Sequence, residues 1–186
     1  MSVWQFFRRY ALLLPVLLTA CAGQGTQGAS SQRDIARVEA YFQTVDLKAA
    51  PFSQVWPDGA VGSGTLVYRP GYLDMRFTEP HFMTLHAEGR HAVFSDSANG
   101  AETRIGLAHN PLGLLLDNPV RLGGAVTVTD IRRAPGVLQL SLARTDNPSQ
   151  GLVTLRFHES AAHLSLYEVR IVDERRRVTL ITLGSG

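Results

Sequence analysis

The stretch from Gly62 to Glu88 constrains the fold of this chain more than any other part of the sequence. Its apolar residues recur at every second position on both sides of a break at Arg69-Pro70-Gly71; they are Leu66, Tyr68, Leu73, Met75 and Phe77. The other face carries Thr65, Arg69, Asp74, Arg76 and Thr78. A period of two is typical of half-buried β-strands and differs from the period of a helix. The stretch therefore predicts two strands with one solvent-exposed face and one apolar face that must be buried against other apolar groups.

Length and composition predict one globular domain and argue against nucleic acids as partners. The chain has 186 residues, of which 45% are hydrophobic and 18% charged, as in ordinary globular domains. Its net charge of +2 comes from Arg8 and Arg9, since the 16 remaining Lys and Arg (18 − 2) equal the 16 Asp and Glu. A neutral chain offers no electrostatic attraction to a phosphate backbone, so we expect no nucleic-acid partner.

Residues 1 to 20 have the pattern of an export signal. Arg8 and Arg9 precede an apolar run from Tyr10 to Leu18, which is shorter than the ~20 residues that a membrane-spanning helix needs. The following Leu18 to Cys21 resembles the bacterial lipobox, in which the cysteine becomes the lipid-modified first residue. Cys21 is the only cysteine, so it has no internal disulfide to form. An ordinary cleavage site with an unmodified Cys21 is the alternative.

The residues after the cleavage region predict a tether and then a helix. Residues 21 to 31 are rich in Gly, Ser and Gln and predict a flexible tether. Ser31 to Asp34 fits a capping box, and the three- and four-residue apolar spacing that follows predicts an amphipathic helix over 32 to 46. We expect residues 32 to 186 to form one domain.

Eleven candidate strands follow, joined mostly by short polar turns. Pro-Gly, Glu-Gly and Asn-Gly pairs predict tight turns between antiparallel neighbours. So large a sheet must curl, close or be covered. The predicted strands are 51 to 56, 61 to 69, 72 to 79, 82 to 87, 90 to 95, 101 to 105, 125 to 132, 136 to 144, 151 to 158, 163 to 172 and 177 to 183.

One short helix interrupts the strands. Asn110 and Pro111 are suited to its first turn, and Pro119 lies just beyond its end. Its apolar face carries Leu112, Leu115 and Leu116. Gly113 in the interior lowers the intrinsic stability of a helix by about 1 kcal/mol. An apolar but weak helix of this kind predicts a movable plug.

The sequence favours no enzyme and no cofactor. It has neither a glycine-rich phosphate loop with a lysine nor a nucleophile motif with an evident base. His158 and His163 are separated by five residues instead of the four that a helical zinc site needs. His81, His86 and His91 are a second metal candidate around a turn. Exposed histidines are the favoured interpretation in both places, so we expect no metal.

Seven segments in order resemble the LolA-type outer-membrane lipoprotein carriers of Gram-negative bacteria, and the resemblance covers nearly all of residues 32 to 183. They are Phe52-Ser53-Gln54, the strand from Gly64 to Pro70, Met75 to Pro80, the turn Glu88-Gly89-Arg90, residues 110 to 116, Val126 to Asp130 and the hairpin Val169 to Leu183.

The resemblance implies an unclosed, strongly curved antiparallel β-barrel of about eleven strands, covered by an N-terminal helix and a short lid helix. Such proteins carry the acyl chains of lipoproteins across the periplasm. By resemblance, the cup is lined by Leu66, Tyr68, Leu73, Met75 and Phe77, and the lid carries Leu112, Leu115 and Leu116. Arg69 would lie at the rim, either in a salt bridge or as a solvated charge at a strand end.

Two features depart from the family pattern. A lipidated Cys21 would be shared with LolB, the outer-membrane acceptor of the same fold, and the last hairpin turn, Asp173 to Arg177, lacks the usual glycine. Arg175 to Arg177 could contact anionic lipid headgroups, but a solvated turn is the favoured interpretation.

Partners and location also follow from the resemblance. It implies acylated lipoproteins as cargo, an inner-membrane lipoprotein-releasing ABC transporter complex as donor and an outer-membrane acceptor. The expected location is the periplasmic side of the envelope, anchored in the outer membrane through Cys21, with a soluble periplasmic protein as the alternative. We expect a monomer. The favoured function is a periplasmic carrier that binds the acyl chains of lipoproteins and helps deliver them to the outer membrane. A LolB-like outer-membrane acceptor and an envelope-stress sensor with a LolA-like fold are the alternatives.

Overall fold

The computed structural model describes residues 24–107, 111–161 and 163–184. Helix α1 spans Gln24–Thr44, and a short 3-10 helix over Pro111–Leu116, here named the lid segment, lies between the sixth and seventh strands. A second 3-10 turn covers Pro148–Gln150. The strands are β1 (Leu47–Val55), β2 (Val61–Arg69), β3 (Tyr72–Glu79), β4 (Met83–Glu88), β5 (His91–Asp96), β6 (Ala101–Gly106), β7 (Val126–Ala134), β8 (Val137–Arg144), β9 (Gly151–Ser160), β10 (His163–Asp173) and β11 (Val178–Leu183).

The eleven strands form one open antiparallel sheet. Their spatial order is β6-β5-β4-β3-β2-β1-β11-β10-β9-β8-β7, so β6 and β7 are its two edges. Connections of two to six residues join strands that are neighbours both in the chain and in the sheet, while the pairing of β1 with β11 brings the ends of the β-region together. The predicted class, an unclosed antiparallel barrel with a helix near the N-terminus, is confirmed.

The alternation in β2 and β3 sets which face is buried. Leu66 lies opposite Met75, and Tyr68 lies opposite Leu73. All four side chains are buried, whereas Thr65 and Arg76 on the other face are exposed. A shift of one residue would turn Asp74 inward, and the cost of burying that carboxylate fixes the register. We call the buried side of the sheet its inner face.

Helix α1 starts eight residues before its predicted start at residue 32. Residues 24–31 are helical, so their assignment to a flexible tether is wrong, and so is the capping box at Ser31 to Asp34. Forming the first turn of a helix is unfavourable, but each residue added to an existing helix gains one hydrogen bond. The helix can therefore extend toward the N-terminus beyond its amphipathic part. Asp34 lies inside the helix, where it is buried against Arg133. The predicted signal peptide and Cys21 lie outside the described residues.

Helix α1 covers the inner face of the sheet. Val38 and Phe42 are almost completely buried, and the Phe42 ring meets those of Tyr68 and Phe157 edge-on at 6.1 and 6.2 Å. The exposed side of the helix carries alanine and polar residues, among them Gln32, Ala36 and Gln43. Within the described ranges, no helix combines the length and the hydropathy needed to cross a membrane.

Candidate functional site

An apolar cavity lies between α1, the sheet and the lid segment. Its volume is about 50 Å³ and its walls expose only apolar surface. The lining residues are Tyr41, Phe42, Leu47, Leu66, Tyr68, Leu73, Met75, Leu115, Leu116, Leu166, Val169, Ile181 and Leu183. Three different parts of the chain therefore meet around one small void.

Four of the five predicted cup residues line this cavity: Leu66, Tyr68, Leu73 and Met75. Phe77 is buried elsewhere in the core, with its ring 4.9 Å from that of Phe52 and 5.3 Å from that of Trp56. It follows Met75 by one pleat on β3, so it faces the same side but lies nearer the end of the strand.

Two of the three predicted lid residues, Leu115 and Leu116, close the cavity from the lid segment. The side chain of Leu112 lies outside the described part of the chain. Leu114 is also buried, although it borders a separate depression beside Gly89 and Arg144. The lid segment is thus apolar on more than one side, as its composition suggested.

The sequence interpretation missed half of the wall. Tyr41 and Phe42 of α1 line the cavity, as do Leu166, Val169, Ile181 and Leu183 of β10 and β11. The alternation of Ile181 and Leu183 in β11 carried the same signal as the alternation in β3. Only the pairing of β1 with β11 shows that the two ends of the β-region border one cavity.

A buried hydrogen bond joins the sheet to the lid segment. The Tyr68 hydroxyl donates to the backbone carbonyl of Leu115 at 2.6 Å. Burial raises the pKa of Tyr68, so its hydroxyl keeps its proton and remains a donor. On the other side of the cavity, the Tyr41 hydroxyl accepts a hydrogen bond from the Leu166 N–H at 3.4 Å, and burial raises the pKa of Tyr41 as well.

Gly113 permits close packing of the lid segment. A Cβ atom at this position would lie 2.3 Å from the carbonyl oxygen of Leu107. No side chain fits at that distance. The prediction that Gly113 serves to weaken a movable helix is therefore incomplete, because the glycine also lets the closed lid segment lie against the chain that leads into it.

Four charged residues attach α1 to one side of the sheet. Arg133 on β7 donates to both carboxylate oxygens of Asp34, through Nε at 3.0 Å, and also to Glu159 on β9 at 3.1 Å. Arg37 reaches the same Glu159 at 2.5 Å. The hydrogen bond from Arg37 lowers the pKa of Glu159, and the positive charge of the nearby Arg133 lowers it further. A second attachment is the hydrogen bond from the Leu122 N–H to Glu39 at 2.7 Å.

Arg69 forms no salt bridge with any described residue. Its guanidinium lies 4.6 Å from the centre of the Tyr72 ring, a cation–π contact at the rim. Of the two alternatives for this residue, the described part of the chain supports an exposed charge at a strand end. Arg69 also borders a surface depression with Asp117 and Asn118, just after the lid segment.

The histidines have partners of other kinds. His158 stacks on Tyr167 at 4.1 Å, His81 lies 2.7 Å from Asp96, and His86 lies 3.4 Å from Asp74. Across the described ranges, no group of three or more His, Cys, Asp or Glu side chains is arranged to hold a metal ion.

One end of the sheet exposes apolar side chains. Val55, Val61 and Phe82 are 37, 59 and 57% exposed, more than any other large hydrophobic residue described. Val55 pairs with Val61 at the β1–β2 turn, and the β3–β4 turn lies at the same end because Ser63 pairs with Glu79. The β10–β11 turn lies at the same end as well, because Val55 also pairs with Leu180, near the start of β11. We call these three turns the apolar end.

The arginine turn is part of this apolar end. Asp173 accepts the backbone N–H groups of Arg175 and Arg177 at 2.9 Å and thereby organises the turn. Arg176 occupies the left-handed position, with φ of 61°, where a glycine would be less strained. Exposed hydrophobic residues and a group of arginines therefore lie side by side, which the sequence order did not reveal.

Comparisons with known proteins give distant likenesses only. No protein-family model and no curated protein matches the chain. A LolA superfamily protein from Nitrosomonas europaea superposes with a TM-score of 0.43 at 12% identity, over 83% of this chain and 91% of that one. An uncharacterized conserved protein from Thermus thermophilus gives a TM-score of 0.43 at 10% identity, over 83% and 84%. Neither likeness says what the cavity holds.

Proposed function

We propose that this protein binds the acyl chains of lipoproteins reversibly, in the space between the inner face of the sheet and its two covers. The observation that supports this proposal best is the wholly apolar cavity at the meeting point of α1, the sheet and the lid segment. An apolar wall suits an acyl chain and offers no polar group that would orient a polar ligand.

The described conformation is closed. Its cavity of about 50 Å³ is far smaller than the ~300–1,000 Å³ of typical ligand sites, so a cover must move before an acyl chain enters. An exposed chain of sixteen carbons costs roughly 12 kcal/mol in water, at about 0.8 kcal/mol per methylene. Burying part of it would keep the cargo in solution and leave a favourable transfer to a bilayer.

The lid segment is the cover that opens more easily. It has only six residues, and the Tyr68 hydroxyl is its buried side-chain bond to the sheet. Helix α1 has 21 residues, and Arg133 and Glu159 both hold it in ion pairs. We infer that acyl chains enter past Leu115 and Leu116 while α1 stays in place.

Replacing Tyr68 with phenylalanine is expected to ease this opening. The change removes the hydrogen bond and leaves the buried Leu115 carbonyl without its partner, at a cost of about 1–3 kcal/mol to the closed form. Uptake of a fluorescent fatty acid, measured by stopped flow, should become roughly fivefold or more faster. Tyr72→Phe is the matched control, because Tyr72 lies at the rim against Arg69. An unchanged rate in Tyr68→Phe would reject this hydrogen bond as a latch.

Between carrier and acceptor, the apolar end favours an acceptor that works at a membrane surface. Phe82 and Val61 project from the same end as the arginine turn. Side chains of this kind enter the headgroup boundary, and nearby cations add attraction to anionic lipids. A lipidated Cys21 would keep the same protein at that surface.

The role of the apolar end can be separated from acyl binding by mutation. In a Cys21→Ser background without the lipid anchor, Phe82→Ser should lower binding to anionic vesicles about tenfold and leave fatty-acid uptake unchanged. Co-sedimentation with vesicles measures the first and fluorescence the second. Val67→Ser, on the outer face of β2, is the control. Equal vesicle binding by both variants would remove the support for an acceptor.

The proposal as a whole is tested by what accompanies the protein from the cell envelope. Detergent-free isolation followed by mass spectrometry should recover several different acylated lipoproteins with it. Recovery of one membrane protein and no acylated cargo would instead favour the stress-sensor alternative. The intact mass of the membrane-extracted chain, with or without a diacylglyceryl group on Cys21, tests the predicted anchor.

A further inference from the structure

Strand β6 is a regular edge of the open sheet; its residues Ala101 to Arg104 are exposed, and no described residue covers them. It pairs with β5 from Ala101 to Gly106 without a bulge. The other edge, β7, is irregular between Val128 and Asp130, and its Arg133 is bound to α1. A regular edge presents unpaired N–H and C=O groups to any strand of matching register. Of the two edges, β6 is therefore the one suited to accept another strand.

Backbone geometry decides which residues of β6 can bond outward. The Leu107 N–H donates to the Arg90 carbonyl at 2.9 Å, so the backbone groups at position 107 point toward β5. In an antiparallel pair these directions alternate from residue to residue. Those of Glu102 and Arg104 therefore point away from β5, and an added strand must bond to them.

The side chains of β6 favour a second copy of the same strand. Those of Glu102 and Arg104 lie on the outer face and are 58 and 87% exposed. In an antiparallel pair centred on Thr103, each Glu102 lies directly opposite Arg104 of the second copy. Registers centred on Glu102 or on Arg104 would place like charges opposite each other, which is unfavourable. Backbone direction allows all three of these registers, and charge selects the one centred on Thr103.

We propose that the chain forms a twofold dimer in which β6 pairs antiparallel with β6 of a second copy, centred on Thr103. Each Glu102–Arg104 pair exchanges its backbone hydrogen bonds, and Ala101 faces Ile105 of the second copy on the inner face. The dimer would join the two open sheets edge to edge and replaces the expectation of a monomer. Since no residue of β6 lines the cavity, it does not depend on the proposed acyl binding.

A charge swap tests the register. In sedimentation experiments on the membrane-extracted full chain in mild detergent, Arg104→Glu should weaken dimerisation about tenfold or more, because both pairs become repulsive. The double variant Glu102→Arg with Arg104→Glu should restore it. The control is Arg132→Glu, which makes the same charge change in the Asp130–Arg132 pair on β7. This variant should leave dimerisation unchanged. A monomeric parent chain, or a folded double variant that stays as weak as Arg104→Glu, would overturn the proposal.

A cysteine at the centre of the register gives a second measurement. Thr103 faces Thr103 of the second copy at a non-hydrogen-bonded position, where the Cα atoms lie ~4.5 Å apart, within disulfide range. Thr103→Cys should therefore form a disulfide-linked dimer under mild oxidation. Thr127→Cys on β7 is the control, and the parent chain gives the background from Cys21. Cross-linking of Thr103→Cys no greater than that of Thr127→Cys would contradict the pairing.

Discussion

Replacing Leu115 with glutamate is expected to abolish the retention of acyl chains. Leu115 is 6% exposed and forms part of the cavity wall, so a carboxylate there would lie in a dry apolar space. Burying an unpaired charge costs several kcal/mol, and moving the lid segment outward avoids this cost. We expect affinity for a fluorescent fatty acid, measured by titration, to fall by about 100-fold or more.

The sheet should survive this change. The lid segment contributes no strand to the ladder, so the far-ultraviolet circular dichroism spectrum should stay close to that of the parent chain. Leu115→Met is the matched control, because a swap of similar volume usually costs less than ~1.5 kcal/mol. Undiminished affinity in Leu115→Glu would show that the lid segment does not close the binding space.

Replacing Arg133 with alanine is expected to lower the stability of the protein more than replacing an exposed arginine. Arg133 belongs to the network of four charged residues, Asp34, Arg37, Arg133 and Glu159, that attaches α1 to the sheet. The Asp34 side chain is only 3% exposed, and without Arg133 its carboxylate would keep Arg37, at 3.8 Å, as its one ion-pair partner among the described residues. Breaking a fully buried pair costs ~3–5 kcal/mol, and the 48% exposure of Arg133 reduces this to about 2 kcal/mol. The melting temperature should fall by about 4–8 °C in a thermal scan.

Two further variants show whether the unpaired carboxylate causes this loss. Asp34→Asn in the Arg133→Ala background should recover part of the stability, because it removes the buried charge. Arg132→Ala should change the free energy of unfolding by less than ~0.5 kcal/mol, since Arg132 is 75% exposed and pairs with Asp130, whose side chain is 42% exposed. Equal losses in Arg132→Ala and Arg133→Ala would contradict the anchoring of α1 by this network.

The sequence by itself determined the sheet. All eleven strands lie where alternation and turn residues predicted them, with ends that differ by a few residues. Leu66, Tyr68, Leu73, Met75 and Phe77 share the buried face. Such features depend on neighbours in the chain, because a pleat alternates every residue and a tight turn uses only a few positions. Whether these residues bind acyl chains stays a prediction.

Only the tertiary structure decided how the cavity is closed and what lies at each end of the sheet. The sequence places Asp34 in a capping box with Ser31, yet the partner of its carboxylate is Arg133, 99 residues away. Leu115 meets Tyr68 across 47 residues, and Val55 meets Leu180 through the pairing of the first and last strands. The local pattern of apolar and polar residues carries no information about such distant partners, because they are set by how the covers pack on the sheet.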